Sequence, residues 1–385
     1  MKIPIKYNFR SLTNRRVGTL MTMLGIGLTV AIVVVMLAMV HGLDATFTDS
    51  GDELHLIVIR QGSQNEVNSY FNRDLYEIVR FLPDVARDEN NQPLVAGEII
   101  TVINQQRLTG ETSNVTIRGT DEMGFRLRPE LSIVQGRMFQ PGLREVMVSE
   151  TLSNRFQDMR LGDTMRIDER AWSVVGIFEA GGTAVESEIL APYEDVAQEW
   201  NRPIYSSLLL RAESLEVIPS LQERISDDQR IQLQAVSQKK YFEDQTVAST
   251  GLKALAVFIA LIIGIGSCFA IMNMMYGTVM ARRHEIATMR AIGFRRRNIL
   301  GSFVLEAAIL ALLGGVLGCL LASSFHGFSA GTANWATFSE VVYKFRVTPQ
   351  IMMQGLLFAL IVGIIGGFLP ARRAARMRLI EVLRG

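Results

Sequence analysis

Four stretches of this chain are apolar over the length needed to cross a bilayer: Val17 to Val40, Leu252 to Met280, Ile299 to Phe325, and Ile351 to Leu369. A hydrocarbon core about 30 Å thick takes roughly 20 helical residues. In lipid every backbone N–H and C=O must find a partner within the protein, which makes the helix the natural form for such runs. The fourth window is the shortest but contains no charged residue. A buried helix of a soluble core is a poor alternative for runs this long. The first window could instead be a secretory signal. Its apolar run exceeds the roughly 7–15 residues of a signal core and no small-residue cleavage site follows it, so it is expected to stay as a span.

Basic residues orient the spans, because Lys and Arg concentrate in the loops that stay inside. Lys2, Lys6, Arg10, Arg15 and Arg16 precede the first span, and Arg282, Arg283, Arg290 and Arg295 to Arg297 follow the second. Arg372, Arg373, Arg376, Arg378 and Arg384 follow the fourth, whereas the 326–350 loop holds only Lys344 and Arg346. The expected plan is a cytoplasmic amphipathic segment (1–16), a first span (17–42), a periplasmic domain with its stalk (43–251) and a second span (252–280). A cytoplasmic helix (281–298), a third span (299–325), a periplasmic loop (326–350), a fourth span (351–369) and a cytoplasmic tail (370–385) complete it. This is the layout of a multi-pass protein of a bacterial inner membrane with both termini in the cytoplasm. The net charge of +1 gives no reason to expect nucleic acid as a partner. Both cysteines, Cys268 and Cys319, fall inside apolar windows, so the outside domain has no disulfide framework and must fold on its own core.

That domain reads as α+β. Glu53 to Arg60 alternates as a strand, Asn68 to Leu82 has helical spacing, and Leu94 to Val102 and Asn114 to Arg118 are strand-like. A second strand–helix–strand unit follows at Tyr205 to Arg211, Ser214 to Ile225 and Ile231 to Val236. Two such units predict a split βαβ, ferredoxin-like subdomain. The insert between them, about 119–201, is β-rich, with strands expected at Glu145 to Val148, Asp163 to Ile167, Trp172 to Phe178 and Glu188 to Ala191. Ser237 to Thr250 is polar yet helix-compatible and is expected to extend the second span outward as a stalk.

Motifs for chemistry are missing. No GxxxxGK[ST] phosphate loop occurs, so this sequence offers no ATP-binding site of that kind and is not expected to be an enzyme. His284-Glu285-Ile286-Ala287-Thr288 starts like a zinc-protease HExxH but has Thr288 where the second ligand must stand. Neither a metal site nor a catalytic triad can be assembled from the histidines at 41, 55, 284 and 326. Small residues in the spans mark sites of close helix packing or dimerisation: Gly264 and Gly266 in the second, Gly314 and Gly318 in the third, Gly363 and Gly367 in the fourth. Apart from Lys253 at the very edge of the second window, Glu306 is the one plain charge in a span, either a functional carboxylate or a hydrogen-bonded residue reaching toward the inner face.

The inner loop RRHEIATMRAIGFRRRNIL, Arg282 to Leu300, reads as a short helix ended by Gly293, with Ile286, Met289, Ala291 and Ile292 as an apolar stripe. It can rest on lipid head groups or lie in a groove of a partner protein. At Arg283, Glu285, Ile286, Met289, Arg290, Ala291, Ile292 and Gly293 it resembles the coupling helix of FtsX-type ABC permeases, the group that includes MacB, LolC and LolE. The ending Leu369-Pro370-Ala371-Arg372-Arg373-Ala374-Ala375-Arg376, with Ile380 to Arg384, resembles that family too. So do Glu306-Ala307 and Leu313-Gly314-Gly315 in the third span, and Leu161 to Thr164 and Val174 to Phe178 in the outside domain. The resemblance implies a permease subunit that passes ATP-driven motion from two ATPase subunits, which carry the ATP and Mg, to its outside domain. It implies a second permease copy or paralogue, contacts with membrane lipids and, in a MacB-like efflux system, a periplasmic adaptor (a membrane fusion protein) and an outer-membrane channel. Within the same resemblance, an FtsX-like regulator of a cell-wall hydrolase and a LolC/LolE-type lipoprotein-releasing permease stand as alternatives.

Overall fold

The computed structural model describes residues 16–168, 170–246, 250–334 and 337–377. Most of the N-terminal segment (1–16) and the end of the C-terminal tail, with Arg378, Ile380 to Leu383 and Arg384, lie outside the described residues. The chain divides into two units. One is a helical membrane unit, comprising the chain up to His41, Gly251–Phe328 and the chain from Phe345 onward. The other is an extracytoplasmic α+β unit, Gly42–Thr250 with Ser329–Lys344.

In chain order, helix α1 (Arg16–Thr48) is followed by β1 (His55–Arg60), β2 (Phe71–Asn72), α2 (Asp74–Arg80), β3 (Val95–Gln106) and β4 (Thr112–Thr120). The insert supplies α3 (Glu122–Arg126), β5 (Ser132–Gly136), β6 (Glu145–Ser149), α4 (Glu150–Ser153), β7 (Thr164–Ile167), β8 (Arg170–Glu179), β9 (Glu188–Pro192) and α5 (Tyr193–Glu199). The unit continues through β10 (Ile204–Tyr205), β11 (Ser207–Arg211), α6 (Ile218–Asp227), β12 (Leu233–Ser237) and α7 (Gln238–Thr246).

The sheet runs β12-β1-β11-β3-β4-β9-β6-β8-β5, with β7 paired to β8. Its first four strands are antiparallel neighbours and carry the two βα units in the 4-1-3-2 order of a ferredoxin-like subdomain. The rest of the sheet grows outward from the β3–β4 hairpin, where β4 takes β9 as a parallel neighbour. Strands inside the sheet, such as β1 and β6, are buried almost end to end, which is why they read as continuous apolar runs.

Two expectations are corrected here. The helix expected from Asn68 covers only Asp74–Arg80, because Phe71 pairs with Tyr205 in the β2–β10 ladder and leaves Tyr70 exposed. Helical spacing there lost to a tertiary strand pairing and an aromatic contact between Phe71 and Tyr205, ring centroids 6.4 Å apart. The segment read simply as a loop at 326–350 contains a hairpin, β13 (Ser329–Ala333) with β14 (Glu340–Lys344), that belongs to the extracytoplasmic unit.

In the membrane unit, α8 (Thr250–Ala281) leads to the short α9 (Arg283–Ala291), α10 (Arg296–Ser323) and α11 (Pro349–Ala375). Among the described residues four helices, counting α1, are long and apolar enough to cross a membrane. Their outward faces carry large apolar side chains, among them Leu28, Phe258, Leu261, Phe269 and Leu320, as lipid contact requires. Their inward faces carry small ones. Gly314 and Gly318 accept α1, since a Cβ at Gly314 would come within 2.8 Å of Ile26 and one at Gly318 would press on Gly27 and Val30. A Cβ at Gly363 or Gly367 would overlap Ala311 or Ala307 of α10. Gly264 faces Phe358 of α11, and Gly266 faces open space. Five of the six glycines singled out in the sequence therefore serve contacts between helices of this same chain.

Candidate coupling site

Helix α9 is nine residues long and too short to be stable alone, so its position depends on what holds it. Its C-terminus closes in a Schellman motif: Gly293 N–H donates to Arg290 O at 3.1 Å and Phe294 N–H to Met289 O at 3.2 Å. That closure needs a left-handed residue, and Gly293 supplies it at φ 103°.

Three contacts tie α9 to the spans. At its N-terminus Arg282 Nη1 donates to Glu306 Oε2 of α10 at 3.0 Å, with the two side chains only 7% and 4% exposed. The same guanidinium donates from Nε to Glu285 at 3.2 Å and sits 5.1 Å from the Phe303 ring centre. In the middle, Ile286 and Ala287 are buried, and Met289 packs on the same apolar cluster as Ile299, Phe303, Ala371 and Ala374. Near its end, Arg290 Nη1 donates to Ala375 O at 3.2 Å and to Met377 O at 3.5 Å, placing a cation on the last carbonyls of α11.

The residues singled out from the sequence therefore divide. Arg283, His284, Glu285, Thr288, Ala291 and Ile292 face outward, with Ile292 66% exposed. Arg282, Ile286 and Ala287 face inward, Met289 and Arg290 are half-buried, and the apolar stripe is corrected accordingly: Ile286 and Met289 belong to the bundle and only Ala291 and Ile292 are presented. A helix on a bundle must bury one face, and the spacing of Ile286 and Met289 selects it. Of the two readings of Glu306, the structure shows a hydrogen-bonded one: its partner is Arg282, and pairing relieves the cost of burying a lone carboxylate. Nothing in the sequence pairs two residues 24 positions apart across a helix break.

A second connection lies in the extracytoplasmic unit. The β13–β14 hairpin docks through Glu340, 2% exposed at its side chain, which receives Arg107 Nη2 at 2.6 Å, Arg155 Nη2 at 2.8 Å and Ser113 Oγ at 2.7 Å. Burial alone would raise the Glu340 carboxyl, but these donors outweigh it and hold the group below its ordinary range. Ser187 Oγ accepts from Val342 N–H at 2.8 Å, and Asn114 Nδ2 donates to Phe338 O at 2.8 Å. The chain between α10 and α11 is thus bonded into the outside unit. Deeper in that unit Glu98 is fully buried between Arg118 and Arg128, each 2.6 Å away at its nearest. Burial pushes its carboxyl up, yet Arg128 and Arg118 bring it down to about 2. Among the described residues no group of His, Cys, Asp and Glu is placed to hold a metal.

The family model described as the MacB-like periplasmic core domain matches residues 19–228, and that of the FtsX-like permease C-terminal matches 257–379. The macrolide export ATP-binding/permease protein MacB of Hahella chejuensis is 27% identical over 97% of this chain and 58% of its own length. The chain thus spans a little over half of such relatives. An ABC transporter permease of Bacillus subtilis, YknZ, is 23% identical over 99% of this chain and 98% of its own. Among solved structures, the extracellular domain of YknZ aligns over 47% of this chain and 99% of that one at 17% identity, TM-score 0.37. The periplasmic region of MacB from Actinobacillus actinomycetemcomitans aligns over 51% and 94% at 13% identity, TM-score 0.38.

Proposed function

The chain belongs to the FtsX-like ABC transporter permeases that carry a MacB-like periplasmic core domain, and on that premise we propose that it converts ATP-driven movement of separate ATPase subunits into movement of its outside domain. The observation that carries this reading is the way α9 is held. Arg282 bonds it to α10, Arg290 bonds it to the end of α11, and Ile292 with Arg283 is left facing outward. A force applied at Ile292 would reach two spans directly, without first deforming a flexible loop. The hairpin joining those two spans is bonded through Glu340 into the extracytoplasmic unit, which offers a second route for the push beside the stalk.

In this reading the termini and α9 are cytoplasmic, the membrane is a bacterial inner membrane, and ATP and Mg belong to two partner ATPase subunits. A second copy of the chain or a paralogue completes the permease core, with Gly266 and the outward faces of the spans open to it or to lipid. Work done on a periplasmic client, as in efflux or export, fits this arrangement better than passage of a substrate through the four-helix unit, whose inward face is filled by side chains.

The test is copurification. Tagged chain from membranes of its own host is expected to bring down an ABC ATPase, and Ile292→Asp to lose it while membrane insertion stays intact. An ATPase that binds the variant as it binds the unaltered chain refutes the coupling role of α9. Capture of a periplasmic adaptor would favour export, whereas capture of a peptidoglycan hydrolase would favour cell-wall control.

A further inference from the structure

Strand β3 has neighbours on both sides, but not along its whole length. On one side β11 pairs with Val95 to Glu98, and on the other β4 pairs with Ile99 to Gln106. Along an antiparallel strand the N–H and C=O of one residue point to the same side, and successive residues alternate. Ser206 N–H donates to Glu98 O at 2.7 Å and Ile100 N–H donates to Ser206 Oγ at 3.0 Å, so the even-numbered residues of β3 face away from β4. Beyond the other end the segment 155–157 occupies that same side. Gln157 N–H donates to Gln106 O and Leu108 N–H to Arg155 O, both at 2.9 Å. The strand position beside β3 is thus filled at its two ends and vacant opposite 101–105. The N–H and C=O of Val102 and Asn104 point into this gap, and among the described residues neither makes a hydrogen bond there. Asn104 is exposed and Val102 half-buried.

Open strand edges invite pairing with other chains, and folded proteins usually cover them. Here the two filled ends leave room for one short extended segment and not for the long edge of another sheet. Both β11 and the 155–157 segment run antiparallel to β3, so a guest strand continuing their line would end, C-terminus last, beside Ser206. A cavity of about 300 Å³ opens at that end, lined by Ile100, Thr101, Trp200, Arg202, Ile204 and Ser206. Arg202 is exposed, and among the described residues no carboxylate pairs with it. A chain terminus arriving there would set its carboxylate toward the Arg202 guanidinium and its last side chain against Trp200 and Ile204. We propose that the gap binds the extended C-terminal segment of another extracytoplasmic protein by strand addition to β3, with the terminal carboxylate facing Arg202. Val102 and Asn104 supply the backbone bonds, and Arg202 selects the free end. The site takes no part in the α9 contacts, so it goes beyond the coupling reading and does not depend on it.

The probe is a hexapeptide of alternating threonine and valine, labelled with fluorescein at its N-terminus and ending in valine with a free carboxylate. Its binding is followed by fluorescence anisotropy on the full chain in lipid nanodiscs, with empty nanodiscs subtracted and no ATPase present. Saturable binding below about 1 mM is expected. Methylation of every backbone nitrogen of the peptide should weaken it about tenfold or more, and so should a C-terminal amide. In the protein, Asn104→Pro should have a similar effect. The N–H it removes points into the gap, so the β3–β4 ladder keeps its bonds, as proline on a strand edge allows. Arg202→Gln should bind the acid and the amide alike. Absence of saturable binding overturns the proposal, as do equal binding of the methylated peptide and unchanged affinity in Asn104→Pro. A preference for the free carboxylate that survives Arg202→Gln overturns it too. Because the assay uses no ATPase, any of these results leaves the role of α9 where it stood.

Discussion

Replacing Glu306 by glutamine leaves a neutral amide opposite Arg282, in a site where both side chains are less than a tenth exposed. Removing one partner of a buried ion pair costs about 3–5 kcal/mol when nothing replaces it. Here two features reduce the loss: glutamine keeps an acceptor, and Arg282 retains its 3.2 Å bond to Glu285. A cost of about 2 kcal/mol is therefore expected, which corresponds to a roughly thirtyfold shift toward the undocked helix. The amides of Ile286 to Arg290 should then exchange with deuterium about thirtyfold faster in the full chain, while the extracytoplasmic strands keep their protection. The double variant Arg282→Met/Glu306→Leu should recover most of the protection, since no buried charge is left alone. Protection of α9 that stays within twofold of the unaltered chain in Glu306→Gln would show that Arg282 and Glu306 do not hold it. Equal loosening in the double variant would assign the effect to packing around Phe303 instead.

Two further outcomes follow from packing and charge. Gly266→Ala should raise the thermal midpoint of the detergent-solubilised chain, because it gains up to about 1 kcal/mol of helix propensity in open space. Gly363→Ala should lower it, with overpacking against Ala311 costing about 1–3 kcal/mol, and shifts of the same sign in both would contradict the assigned helix contacts. Acid should weaken the extracytoplasmic unit through Glu98. Its folded pKa of about 2 lies below the ordinary 4.5, so its contribution is complete above about pH 4.5 and is lost as pH falls toward 2. That contribution is about 3 kcal/mol. Urea midpoints of the full chain followed by tryptophan emission should fall over this window, and a Glu98→Gln variant with the same slope would exclude Glu98 as the cause.

Several features of this protein are local in sequence, and those were legible without coordinates. A span is an unbroken apolar run, because lipid forbids unpaired backbone over about 30 Å. The two βα units and four of the five insert strands, β6 to β9, show themselves in the sequence, whereas β5 (Ser132–Gly136) does not; the end of α9 is marked by Gly293, the one residue type that turns left-handed without strain. Motif spacing around Arg283 to Gly293 was enough to suggest the family. What only the tertiary structure decided are pairings between distant residues. Glu306 finds Arg282 24 positions away, and Glu340 finds Arg107 across 233. Gly314 and Gly363 prove to be contacts within one chain, and the apolar stripe of α9 divides into Ile286 facing in and Ile292 facing out. Periodicity shows that a helix has an apolar face. Which neighbour covers that face, and how much of it is left for a partner, depends on where the other helices lie.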